Sequence, residues 1–432
     1  MATRYSSQAI KGAYFPSWAQ NFTPSSINTK LFTHIYYAFL NPNNVTFKFE
    51  IEHTQALLLV NFTSTLHATN PPVKTLFSVG GATEGTVLFS RLAADSWSRS
   101  NFIHSSIEVA RKFGFDGVDL DWEFPQSSQD MVNLAFLLEE WRVEVEKEAS
   151  ATGRPTLLLA AAVYYSADMV LDGPPRAYPS ASISKNLDWI NIMAYDYHGS
   201  WDTSATGAHA ALFDRTSNIS TSYGLGSWIQ SGVPISKLIM GLPLYGRTWQ
   251  LSDPTSHGIG APAIDVGPGP NGTGVLTFAE VVKFNRDNNS QVVYDLTTVS
   301  MYSVAGTTWI GYDDNESVTE KIRYARGLGL RGYFFWAVNG DYEWRISKKE
   351  KQSPSKITSG HPSRDLSPIS NVISDILRGS HSFSRFSCSF VRRAGNLVAH
   401  SIARAVLRAQ GSVPKIPALA VSALALDLSF VE

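Results

Sequence analysis

Eight short apolar runs, rich in β-branched and aromatic residues and separated by stretches of helical spacing, constrain this chain more than any other feature. They occupy residues 12–18, 33–41, 75–81, 117–123, 156–165, 189–196, 238–245 and 332–338. Such alternation reads as a parallel sheet with helices packed outside it, and eight units predict an α/β fold of the (β/α)8 TIM-barrel class. The clearest intervening helix follows the fourth run. There Met131, Leu134, Leu138, Trp141 and Val145 recur at spacings of three and four, while Glu139, Glu140, Glu146 and Lys147 fall mostly off that stripe. A chain of 432 residues, 44% of them apolar, is long enough to bury a core of this size and carry an appendage.

About 85 residues separate the seventh run from the eighth, too many for one helix. The Gly- and Pro-rich stretch 258–274, followed by strand-like residues 292–294 and 309–312, predicts a small α+β insertion over 250–315 that raises one wall of a cleft. The barrel with its insertion is expected to fill residues 1–350. Residues 351–370, rich in Ser, Pro and Lys, have the composition of a linker. Residues 371–432 offer one strand-like run at 383–391 and a helix capped at Asn396 that continues through Val398, Ile402, Ala405 and Val406. A lone strand and helix cannot bury a core, so partial disorder is expected there. Charge divides at the same place: residues 346–432 carry 12 Lys and Arg against 5 Asp and Glu, and the first 345 carry 24 against 32. Opposite signs suggest two origins.

Several function classes are excluded. No apolar run approaches the roughly 20 residues needed to span a bilayer, and no basic region followed by an apolar h-region opens the chain. Cys388, the single cysteine, excludes an internal disulfide framework. Neither GxGxxG nor GxxxxGK[ST] occurs, and the ten histidines lack metal-ligand spacing, so no cofactor and no metal is expected. Asn21, Asn44, Asn61, Asn218, Asn271, Asn288 and Asn315 each open an Asn-X-Ser/Thr acceptor, all before residue 346, a concentration consistent with secretory ancestry.

The chemistry is concentrated in the fourth run, Asp116-Gly-Val-Asp-Leu-Asp-Trp-Glu123. Residues two apart in a strand share a face, so Asp119, Asp121 and Glu123 point one way and Val118, Leu120 and Trp122 the other. An isolated acidic alternation commonly marks a solvated face. Here apolar helices precede and follow the run, so the strand is expected to be buried on both sides, with its acids inside the barrel and its apolar residues against the helical ring. Like charges that close raise one another's pKa, so at least one proton should be shared. Glu123 then sits as a protonated acid at the C-terminal end of the strand, where barrels place reactive groups. Asp116 falls off that face, with fold support slightly ahead of direct chemistry. Gly80-Gly81 suits either close backbone approach at a strand end or a simple turn.

Residues 115–125 resemble the DxxDxDxE signature of glycoside hydrolase family 18, and in particular its plant class V chitinases. Ser78-Val-Gly-Gly81 resembles the family's SxGG strand, Met193-Ala-Tyr-Asp196 its MxYD strand and Gly332-Tyr-Phe-Phe-Trp336 its final strand. The resemblance covers residues 10–348. It implies a retaining hydrolase of β-1,4 bonds between N-acetylglucosamine units, in which the substrate's own acetamide replaces an enzyme nucleophile. Glu123 would be the general acid and base. Asp121 would orient the acetamide and exchange its proton with Asp119, and the Tyr195 hydroxyl would hold the acetamide carbonyl. Trp336 would floor the sugar, and Asp196, Met193, Phe39 and Tyr14 complete the expected substrate-binding set.

The expected partners are chitin or N-acetylglucosamine oligomers, met by a monomer, without a membrane. The resemblance implies an extracellular or vacuolar location. A non-catalytic lectin on the same barrel is the alternative, against which stand the complete acid set and Tyr195. Residues 383–407 resemble the last strand and helix of RNase H-like domains from plant retroelements, but this fragment supplies none of the metal-binding carboxylates such a site needs before His400, so a nuclease is not expected. Nucleic-acid contact would be limited to the basic tail.

Overall fold

The computed structural model describes residues 9–348, except 20, 84 and 170–173. The linker and the tail segment expected at 351–370 and 371–432 lie outside the described residues. Eight parallel strands close a barrel: β1 (Ile10–Pro16), β2 (His34–Ala38), β3 (Lys74–Gly80), β4 (Gly117–Asp121), β5 (Leu158–Val163), β6 (Trp189–Ile192), β7 (Leu238–Pro243) and β8 (Gly332–Trp336). Each falls on one of the eight apolar runs. Neighbours in sequence are neighbours in the barrel, and β8 closes on β1 with Ile10 opposite Gly332.

Two apolar cores follow from the two faces of these strands. Outside, Val118, Leu120 and Trp122 of the β4 segment join Leu134, Leu138, Trp141 and Val145 of the helix Ser128–Thr152. That helix starts where Ser127 accepts from the Asp130 N–H in a reciprocal capping box, and it stops at Gly153, whose left-handed φ of 67° ends the helical ladder. Inside the barrel, Tyr14, Tyr36, Leu76, Ala160, Trp189, Ile239 and Phe334 form the second core. The small side chains of β5 matter there. Its register sets Ala160 opposite Asp119 and Ala162 opposite Asp121, which leaves interior volume for two carboxylates.

Between β7 and β8 the chain builds a separate antiparallel sheet from Tyr245–Leu251, Ala263–Val266, Val275–Thr277, Gln291–Asp295, Ser300–Ala305 and Thr308–Tyr312, with the helix Phe278–Asp287. The insertion was expected from residue 250, but its first strand begins at Tyr245. Strand β7 ends at Pro243 and the chain enters the second sheet almost at once, so Tyr245 and Arg247 stand beside the barrel mouth. Among the described residues no helix is long and apolar enough to cross a membrane.

Candidate active site

The three acids of the β4 segment descend into the barrel in order of burial. Asp119 is fully buried, Asp121 is 3% exposed and Glu123, just past the strand end, is half-buried. Register explains what meets Asp119: Ser78 of β3 lies directly opposite it, and its hydroxyl donates to Oδ2 at 2.7 Å. The Tyr14 hydroxyl donates to the same oxygen at 2.7 Å, and the Asn191 amide donates to Oδ1 at 3.1 Å. Burial pushes Asp119 up to about 6, and these three donors restrain the rise.

Asp121 has no such support. Its Oδ1 is buried without a hydrogen-bond partner among the described residues. Burial raises its pKa well above the ordinary carboxylate range, and the Glu123 and Asp119 charges raise it further. Glu123 is pushed up to about 7, first by burial and then by the charge of Asp196. An acid that keeps much of its proton near neutral pH therefore follows, at the barrel mouth, a carboxyl with an unpartnered oxygen.

The segment after β6 supplies the next two groups. Tyr195 is half-buried, and its hydroxyl is pushed far up by burial and by the charges of Asp121, Glu123, Asp196 and Asp119, so it stays a neutral donor. Its ring fits because β7 carries Gly241: a Cβ there would lie 2.7 Å from Tyr195 Cε1. Asp196 accepts from the Tyr245 hydroxyl at 2.6 Å and from Arg247 at 2.8 Å, and His209 Nδ1 lies 3.7 Å away. Burial opposes its charge, but His209, Arg247 and Tyr245 outweigh that effect and hold it ionised below the usual range. The paired glycines of β3 have a definite reason. Gly80 and Gly81 adopt φ of 117° and 87°, and a Cβ on Gly80 would meet the Asp121 carbonyl at 2.0 Å, while one on Gly81 would strike the Phe39 ring at 2.5 Å.

Aromatic side chains border the acids. Trp336 stands half-buried at the end of β8, stacked with Phe39 at 5.7 Å between centroids, and Phe39 stacks in turn with Trp18 at 5.9 Å. Trp18 is 59% exposed. Met193 is half-buried against the interior core. Tyr14, expected at the substrate wall, is placed beneath it instead. Mid-strand in β1 and paired with Tyr36, it is 1% exposed, and its hydroxyl is committed to Asp119. Asp116 lies at the opposite end of β4, bonded to Lys74, His67 and the Thr75 N–H, a brace across β3 and β4.

Sequence reasoning did not single out Trp18, Ser78, Asn191, Tyr245, Arg247 or His209 as site residues. Ser78 stood inside the quoted SxGG string, Trp18 ended the first apolar run and Asn191 lay two residues before the MxYD string, whereas the insertion residues and His209 carry no local pattern.

The sequence matches the family described as glycosyl hydrolases family 18 over residues 11–341. It is 49% identical over 348 residues to class V chitinase CHIT5a of Medicago truncatula, covering 80% of this chain and 90% of that protein. The crystal structure of a GH18 chitinase from Cycas revoluta in complex with (GlcNAc)3 superposes with a TM-score of 0.75 at 41% identity, covering 79% of this chain and 98% of that one. A chitinase-like agglutinin from Robinia pseudoacacia matches with a TM-score of 0.71 at 41% identity, over 78% and 98%. With the barrel closed and the acid ladder in its interior, these matches establish that the chain belongs to family 18 of the glycosyl hydrolases.

Proposed function

We propose that this protein is a chitinase that hydrolyses β-1,4 bonds between N-acetylglucosamine units with retention, by substrate-assisted catalysis. One observation carries the reading: a buried carboxyl oxygen on Asp121, unpartnered among the described residues, lies between Asp119, which accepts from three donors, and Glu123, whose pKa is pushed up to about 7. An acetamide N–H is a group of the right chemistry to complete it. Asp121 accepts from that N–H, and the Tyr195 hydroxyl donates to the acetamide carbonyl, whose oxygen is thereby aimed at the anomeric carbon. Glu123 gives its proton to the glycosidic oxygen as that bond breaks, and the acetamide oxygen bonds to the anomeric carbon as an oxazolinium ion. Glu123, now ionised, takes a proton from water, which opens the ring and restores the original anomer. Trp336 and Phe39 offer apolar faces on which sugar rings stack, with Asp196 and Met193 on the neighbouring wall.

Product analysis on a defined N-acetylglucosamine oligomer tests this. Shorter oligomers released initially as the β-anomer are expected, and an inverted product excludes neighbouring-group attack. The similarity to an agglutinin favours a second reading, a non-catalytic lectin for N-acetylglucosamine oligomers. Protein that binds the oligomers and releases no sugar over hours supports it. In the enzyme, Glu123→Gln should bind normally and lose at least about 10²-fold in rate.

A further inference from the structure

Beneath the acids the barrel interior holds a column of polar groups that the proposed chemistry does not use directly. The Trp189 indole N–H donates to the Tyr36 hydroxyl at 2.9 Å, the Tyr36 hydroxyl donates to Asn191 Oδ1 at 3.3 Å, and Asn191 Nδ2 reaches the Tyr14 hydroxyl at 3.0 Å and Asp119 Oδ1 at 3.1 Å. Every member is buried: Trp189, Tyr36, Asn191 and Tyr14 are each at most 1% exposed.

Donor and acceptor capacities fix the direction of every bond. An indole N–H can only donate, so the Tyr36 oxygen accepts, and its own hydrogen must go to Asn191. The atom of Asn191 that faces Tyr36 is therefore the carbonyl. Its NH2 then points at Tyr14 and Asp119, which forces the Tyr14 hydroxyl to accept from Asn191 and donate onward to Asp119. The other end gives the same answer, because a reversed amide would set two acceptor oxygens 3.1 Å apart at Asp119. A carboxylate has about four lone-pair positions. Tyr14 and Ser78 fill two on Oδ2 and Asn191 one on Oδ1, which leaves one, on Oδ1, for a proton from Asp121.

We propose that Trp189, Tyr36 and Asn191 form a one-way hydrogen-bond column that locks the Asn191 amide and holds Asp119 as a pure acceptor under Asp121. They are positioning residues for the hydrolysis proposed above, and the inference rests on that reading for its purpose. The titratable groups that face Asp119 are Tyr14 and Tyr36 from β1 and β2, Asp121 from its own strand and Tyr195 after β6. At the foot of the column Arg331 lies over the Trp189 ring at 5.7 Å, and His34 meets that ring edge-on.

The test removes one hydroxyl from the column. Tyr36→Phe keeps the ring that stacks on Tyr14 at 4.6 Å and frees the Asn191 amide to turn. In protein labelled with [13Cγ]aspartate, with the Asp119 signal assigned by its loss in Asp119→Asn, the Asp119 titration should move up by about one unit or more, the effect of losing one charge-assisted donor. On an N-acetylglucosamine pentamer kcat should fall about 10-fold with KM within about twofold, the mark of an effect on the acid ladder and not on binding. The double variant Tyr36→Phe/Asn191→Ala should be no slower than Asn191→Ala alone, since both act through one amide. Trp189→Phe, which frees the Tyr36 hydroxyl to rotate, is the second arm and should shift the titration in the same direction. An Asp119 titration unmoved in Tyr36→Phe and Trp189→Phe, or strictly additive losses in the double variant, overturns the column. Wild-type protein that releases no sugar sinks the hydrolytic reading alone, because the carboxyl titration reports the column without turnover.

Discussion

At the scale of single residues, Glu123 and Asp196 form an unequal pair. Asp196 is held ionised by Arg247, Tyr245 and His209, and its charge is the second cause, after burial, of the high pKa of Glu123. Glu123 must carry a proton to act, so kcat/KM on a short oligomer is expected to fall as pH rises through about 7. Asp196→Asn removes the negative charge and leaves burial as the remaining cause. The alkaline limb should then move to lower pH, and a pH–rate profile measured on both proteins checks it. An unchanged limb would mean that Asp196 does not act on Glu123 through its charge. The Glu123 half of this pair was legible in the sequence because strand alternation places it on the acid face. Asp196 was named through the resemblance alone, and the groups that hold it ionised were not legible, since Arg247 and Tyr245 come from an insertion about 50 residues further on, where no periodicity links them to it.

At the scale of elements, β4 stores an instability that its chemistry requires. Asp121 binds its proton more tightly folded than unfolded, so stability from this group is present at low pH and is lost as pH rises through its raised pKa. Asp121→Asn replaces it with a permanently neutral group of the same shape. Thermal melts should show a gain in Tm for the variant that is larger at pH 8 than at pH 5, together with loss of activity, the trade-off expected where function opposes stability. A gain independent of pH would place the cost elsewhere. The helix Asn315–Leu328 contains a different buried charge. Lys321 donates to Asp313 at 2.6 Å and to the Ala210 carbonyl, with both side chains at most 1% exposed, and so joins the end of the inserted sheet to the loop that carries His209. Lys321→Met strands Asp313 without a partner and should cost about 3–5 kcal/mol in denaturant unfolding. Lys321→Met/Asp313→Leu should recover most of that, because the pair, once removed together, leaves no orphaned charge. The sequence showed both residues but not their meeting, for a buried Lys at a helical position reads like any solvated one until the packing is known.

At the scale of the whole molecule, the architecture was readable and its internal wiring was not. Eight apolar runs located eight barrel strands because a strand buried on both faces has few polar residues to break the run. The hydrogen-bond partners of interior side chains such as Tyr14, Tyr36, Asn191 and Trp189 were not assignable, because they lie 72 to 177 residues away in sequence and are set by barrel closure. Closure also locates the functional unit. Every residue of the proposed site lies between Tyr14 and Trp336, the family match spans 11–341, and β8 is paired to β1 and β7 on its two sides. The chain beyond β8 is tied down by Asp341, whose carboxylate accepts from the Ile346 and Ser347 N–H groups and from the Ser347 hydroxyl. Protein ending at residue 350 retains all of these bonds. Its kcat/KM on N-acetylglucosamine oligomers is expected to stay within about twofold of the full chain, with the same melting midpoint, since every site group and barrel strand described above lies within residues 9–348. It also loses most of the positive charge excess of residues 346–432, so any binding of the full chain to nucleic acid at low salt should disappear with them. A truncated protein that folds but no longer cleaves would mean that the C-terminal segment completes the site.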